Sequence, residues 1–172
     1  DKCVAIGGQA MEAGNATQDG TIAIGWNSLH QLTSGANNLA VGYLAGAATT
    51  TGGQNIAIGR QALETNLTGD SNIAIGYLAM GDTDAGNNSN DSDHNVFIGL
   101  VAGGGTWADA KSRYNVGVGN YVMDAAMNGA SNNTAVGYGS LSGVITGDSN
   151  TAIGYNAGND IAGGSENTMV GK

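Results

Sequence analysis

Oxygen-bearing side chains crowd one stretch of the chain. Asp82, Asp84, Asn88, Asp91 and Asp93 lie close together between positions 81 and 94. Hard cations such as calcium take carboxylate and amide oxygens as ligands, so this spacing is one a calcium ion could use. The run lacks the closing Glu of an EF-hand loop, and a solvated polar insertion accounts for it without any ion. A second group follows at Trp107, Lys111, Arg113 and Tyr114. An aromatic face beside polar donors suits a glycan or protein receptor. The competing account is that Trp107 caps the core of a neighbouring structural unit, since large aromatics are usually buried. His30 and His94 have no Cys or His at metal-ligand spacing. No catalytic set stands out. The expectation is a non-enzyme with no catalytic residues and no cofactor beyond that calcium.

Both groups interrupt a repeat, and the repeat must position them. Asn55-Ile56-Ala57-Ile58-Gly59 recurs as Asn72-Ile73-Ala74-Ile75-Gly76 and Asn150-Thr151-Ala152-Ile153-Gly154. Variants surround Gly25, Gly42, Gly99 and Gly137. Ten copies end on glycines spaced 18, 17, 17, 17, 23, 20, 18, 17 and 17 residues apart. The two long spacings hold the insertions 81–94 and 104–114. Solenoid insertions commonly map to a binding face, so the two should protrude side by side.

Each copy reads as a turn, a short strand, a bend at Gly, a second short strand and a loop. β-branched residues at alternate positions favour a strand. A lone copy holds too few apolar side chains to offset its ordering entropy, so the copies must stack. The expected fold is all-β: one β-solenoid domain over residues 1–172, about ten coils of 17–18 residues. The Asn before each strand, as at Asn55, Asn72 and Asn150, is expected to form a stacked hydrogen-bonded ladder. Sequons at Asn15, Asn66 and Asn132 offer glycosylation as the functional alternative. Tyr43, Tyr77, Tyr138 and Tyr155 each follow an anchor glycine and should form an exposed or interfacial stripe.

The middle strand position is Ala or Gly in eight of ten copies. A solvent-facing row has no reason to stay small. The expectation is therefore that Ile and Val fill the coil, while the Ala and Gly row meets a partner chain near a three-fold axis.

Composition narrows the function. The net charge is −9, and only 11% of residues are charged. That argues against nucleic acid, which requires a basic patch. No run approaches the length of a membrane-spanning helix. A hexapeptide acyltransferase solenoid fails on its six-residue rule, and an ice-binding face fails on irregular Thr placement.

The Asn-x-Ala-Ile-Gly unit resembles the head repeats of trimeric autotransporter adhesins. Its longer form, as in residues 150–158, is similar to repeats of phage tail-fibre proteins. The resemblance implies a left-handed parallel β-roll wound as a homotrimer, with no catalytic residues. It implies a structural and adhesive fibre segment on a virion tail or cell surface. Expected partners are a host or neighbouring-cell glycan or protein receptor and neighbouring fibre domains, with no nucleic acid and no membrane insertion. The array opens and closes within the repeat, so a piece of a longer fibre is expected.

Overall fold

A computed structural model describes residues 2–13, 19–83, 91–108 and 110–172. Every copy of the repeat contributes one three-residue strand. These are β1 (Val4–Ile6), β2 (Ile22–Ile24), β3 (Leu39–Val41), β4 (Ile56–Ile58), β5 (Ile73–Ile75), β6 (Val96–Ile98), β7 (Val116–Val118), β8 (Thr134–Val136), β9 (Thr151–Ile153) and β10 (Thr168–Val170). They form one parallel sheet in chain order. Residue pairs with its repeat equivalent throughout, as in Ile56 with Ile73, Ala57 with Ala74 and Ile58 with Ile75. At about 4.8 Å per strand, the stack is a rod on the order of 45 Å long.

Among the described residues the expected second strand is not there. Beyond each anchor glycine the chain runs through successive turns. Ser28 N–H donates to Gly25 O, and Leu32 N–H to Leu29 O. Asn27 and Leu29 both have left-handed backbone, with φ of 54° and 48°. Gln61 and Leu63, and Leu78 and Met80, repeat that pattern. Such φ values are uncommon for non-glycine residues. They persist here because each turn bonds to the equivalent turn in the next coil, as Leu29 N–H does to Ala45 O at 3.0 Å.

The anchor glycine is a packing requirement. Gly59 has φ +134°, and a Cβ there would stand 2.4 Å from Gly76 O. No side chain fits between coils that approach so closely.

The two faces of the strand are the reverse of the expectation. Ala23, Ala40, Ala57, Ala74, Ala135 and Ala152 are buried inside the coil. Ile and Val on either side of them point out, half-buried or exposed. The reason is the coil's width. Each strand faces a wall of Leu29, Leu63, Met80, Met123 and Leu141, which are also buried. With that wall filled, the inward strand position has room for little more than a methyl group. The small row is therefore the coil's own core and not a surface.

Candidate functional site

The Asn ladder forms the internal spine. Asn55 N–H donates to Asn38 Oδ1 at 2.9 Å, and Asn72 N–H to Asn55 Oδ1 at 2.9 Å. Each amide nitrogen reaches a neighbouring carbonyl, as Asn55 Nδ2 does Gly69 O at 2.8 Å. The ladder crosses both insertions without a break. Asn95 N–H bonds Asn72 Oδ1 at 3.0 Å, and Asn115 N–H bonds Asn95 Oδ1 at 3.1 Å. It continues through Asn133 and Asn150 to Asn167. Buried amides that find partners in this way fix the register of the stack. Thr21 takes the Asn position in the second coil, and its hydroxyl accepts from Asn38 N–H at 3.3 Å.

Of the oxygen-rich group, Asp84 and Asn88 lie outside the described residues. The other three engage the second insertion and the coil below. Asp82 accepts from Thr106 Oγ1 at 2.6 Å. Asp91 pairs with Lys111 and accepts from Thr68 Oγ1 at 2.7 Å. Asp93 meets Arg113 Nε at 3.1 Å. The hydrogen bond from Lys111, and then that from Thr68, hold the Asp91 carboxyl below the usual carboxylate range. Among the described residues no group of three or more His, Cys, Asp or Glu converges as a metal site would require.

Trp107 is buried, which corrects its place in a receptor platform. Its indole N–H donates to Gly103 O at 3.0 Å, and its ring meets Phe97 edge-on at 5.9 Å. It occupies the core column that Leu32, Thr49, Asn66 and Val144 fill in other coils, all of them buried. An aromatic face consumed by core packing cannot also bind a sugar. Around it, the second insertion is partly woven into the stack, since Trp107 N–H bonds Asp82 O and Ala108 N–H bonds Met127 O. Lys111 and Arg113 are spent on Asp91 and Asp93. Tyr114 is exposed and Lys111 less so, and His94 lies beside Tyr114 at a ring distance of 5.2 Å. The sequons divide in the same way. Asn15 lies outside the described residues, Asn66 is buried with its amide on Gly69 O, and Asn132 is exposed.

The open surface is the sheet itself. Ile and Val in the first and third strand positions line up coil upon coil. Exposure is 37% at Ile98, 38% at Val118, 41% at Val136 and 46% at Ile153. Towards the C-terminal end the first position changes to Thr134, Thr151 and Thr168. Past the glycine corner runs the aromatic column. Trp26 stacks on Tyr43 at 5.1 Å, and Tyr138 on Tyr155 at 5.4 Å. Arg60 lies between the Tyr43 and Tyr77 rings, 5.5 and 5.6 Å from their centroids. The Tyr stripe read from the sequence is therefore exposed, and Trp26 and Arg60 belong to it. They escaped notice because only the Tyr copies look alike; position relative to the anchor glycine would have found them.

Among the described residues no helix is long and apolar enough to cross a membrane. No family model, no characterised protein and no solved structure matches the chain.

Proposed function

We propose that this chain is a structural and adhesive fibre segment, a trimeric rod of the phage tail-fibre or surface-adhesin kind. It would lie on a virion tail or a cell surface and contact a receptor there. The single observation that carries this reading is the uncharged Ile and Val face along the sheet. Monomeric proteins seldom expose contiguous apolar surface of that extent. At about 3.3 Å per residue the three-residue strands make a strip on the order of 45 Å by 10 Å, roughly 450 Å² per chain, about half of one partner's share of a standard stable interface. A chain with net charge −9 repels its copies, so association needs a face free of carboxylates. The three-residue strands carry none. Copies would meet through Ile and Val, in a left-handed roll with three-fold symmetry. The Ala row, buried in its own coil, is not the contact.

Light scattering on the intact chain tests this. A three-fold mass is expected, with the Ile58→Asp, Ile75→Asp pair giving folded monomers. A wild-type monomer, or a trimer indifferent to those changes, would sink the reading.

A further inference from the structure

Arg60 is an oddity in an acidic rod. The sequence holds five Lys and Arg residues against fourteen Asp and Glu. Lys2 and Lys172 are near the chain ends, and Lys111 and Arg113 are paired with Asp91 and Asp93. Arg60 is exposed, and no carboxylate among the described residues pairs with it. Glu64, one turn further on, instead accepts from Gln61 Nε2 at 2.8 Å.

The guanidinium is nonetheless held. Tyr43 and Tyr77 sandwich it from the coils on either side. Trp26 extends the ladder by stacking on Tyr43 with an interplanar angle of 13°. Cation–π contact of this kind fixes the plane of an Arg and leaves its N–H fork free at the edge. The cost of ordering a long side chain is met before any ligand arrives.

We propose that Trp26, Tyr43, Arg60 and Tyr77 form a binding ridge for a carboxylated sugar, a proposal that rests on the adhesive function above. A neutral sugar needs an open aromatic face, and here the Tyr43 ring lies between Trp26 and Arg60. What the ridge presents is ring edges, two phenol hydroxyls and one guanidinium. A planar fork takes a carboxylate in two parallel hydrogen bonds. The hydroxyls of Tyr43 and Tyr77 flank it and suit the hydroxyls of a sugar ring. An acidic protein would bring many charges against the net −9 of the rod, whereas a terminal sugar brings one.

The test follows the Tyr ring and Arg Nε–H resonances of the intact protein by NMR. A sialyl trisaccharide, a galacturonate trisaccharide, neutral lactose and a short poly-glutamate are added in turn. Saturable shifts at Tyr43, Tyr77 and Arg60 with either acidic sugar, and none with lactose, are expected. Arg60→Gln should weaken that binding by about tenfold or more, the scale of one lost charged hydrogen-bond pair. Arg60→Lys, which keeps the charge but not the fork, should restore only part of it. Tyr138→Ala, in the separate aromatic pair, should change nothing. No response to both acidic sugars, tighter binding of poly-glutamate, or full binding in Arg60→Gln each overturns the ridge. Adhesion of the unmodified protein to cells is scored separately. Cell binding that survives Arg60→Gln removes this site and leaves the adhesive function standing.

Discussion

Phe97 in β6 and Gly117 in β7 are register partners in adjacent strands, and each explains the other. Phe97 is the one large residue fully buried at an inward position that is elsewhere Ala or Gly, apart from the partly buried Met169 in the last strand. A Cβ on Gly117 would lie 2.6 Å from Phe97 Cδ1, and one on Gly103 would lie 2.8 Å from the same atom. Two missing methyl groups thus make room for one ring, and Trp107 closes the space from the side.

Volume exchange of this kind predicts coupling. Gly117→Ala should destabilise the chain by about 1–3 kcal/mol through overpacking. Phe97→Ala should cost about 3–5 kcal/mol through the cavity it leaves. Together the two changes restore the common repeat, so the double variant should lose measurably less than the sum. Urea melts of all four proteins check this. Strict additivity would show that the ring and the glycine are independent.

The Asn spine predicts a dependence on position. Asn72→Ala strips the acceptor from Asn95 N–H and the donor from Ser92 O, both inside the stack. A loss of about 1–3 kcal/mol is expected from the stranded buried groups. Asn167→Ala, in the more exposed last coil, should cost clearly less. Hydrogen exchange at the neighbouring amides would reveal the difference, and equal losses would argue against a continuous ladder.

Inward and outward strand positions should respond in opposite ways. Ala57→Leu should unfold or severely destabilise the coil, because the leucine has no space beside the filled Leu and Met wall. Ile56→Leu at the neighbouring outward position should leave the melting temperature within a few degrees. Thermal melts followed by circular dichroism decide it. Tolerance of leucine at 57 would return the small row to the surface.

Two carboxylates give acid dependence of opposite sign. Asp91 is held below the usual range, first by the hydrogen bond from Lys111. Its folded value is below its unfolded one, so its contribution is present above roughly pH 4 and disappears as pH falls through the folded value. Asp124 is raised, chiefly by burial. Its ionised form is disfavoured in the fold, so it weakens the protein at neutral pH and ceases to do so on protonation. Asp124→Asn should therefore raise the melting temperature at pH 7 and lose that advantage in acid. Lys111→Met should lower it at pH 7 and do less at low pH. Melts across pH 3 to 7 compare the two, and slopes of the same sign would contradict these assignments.

Much of the fold is legible in the chain because the repeat writes the same sentence ten times. Glycine spacing gives the number of strands, and the Asn that recurs before eight of the ten strands gives the ladder. The breaks at 81–94 and 104–114 mark where the coils lengthen. Trp107 is harder to read. Its core column holds Leu32, Thr49, Asn66 and Val144, a mixture with no apolar signature. Local pattern also hides the left-handed turns at Leu29, Leu63 and Met80, where bonding to the next coil overrides the ordinary preference for a strand.

The sequence by itself determined that successive strand residues face opposite ways, because side chains alternate along any extended backbone. It did not determine which way is in. Ile-Ala-Ile serves equally for a wide coil filled by Ile and for a narrow one filled by Ala. Only the closed coil decides, since the Leu and Met wall uses up the interior and turns the larger residues outward. That choice moves the candidate contact surface from the Ala row to the Ile and Val face. It also separates Trp107, packed in the core, from Trp26, Tyr43, Arg60 and Tyr77, set outside it.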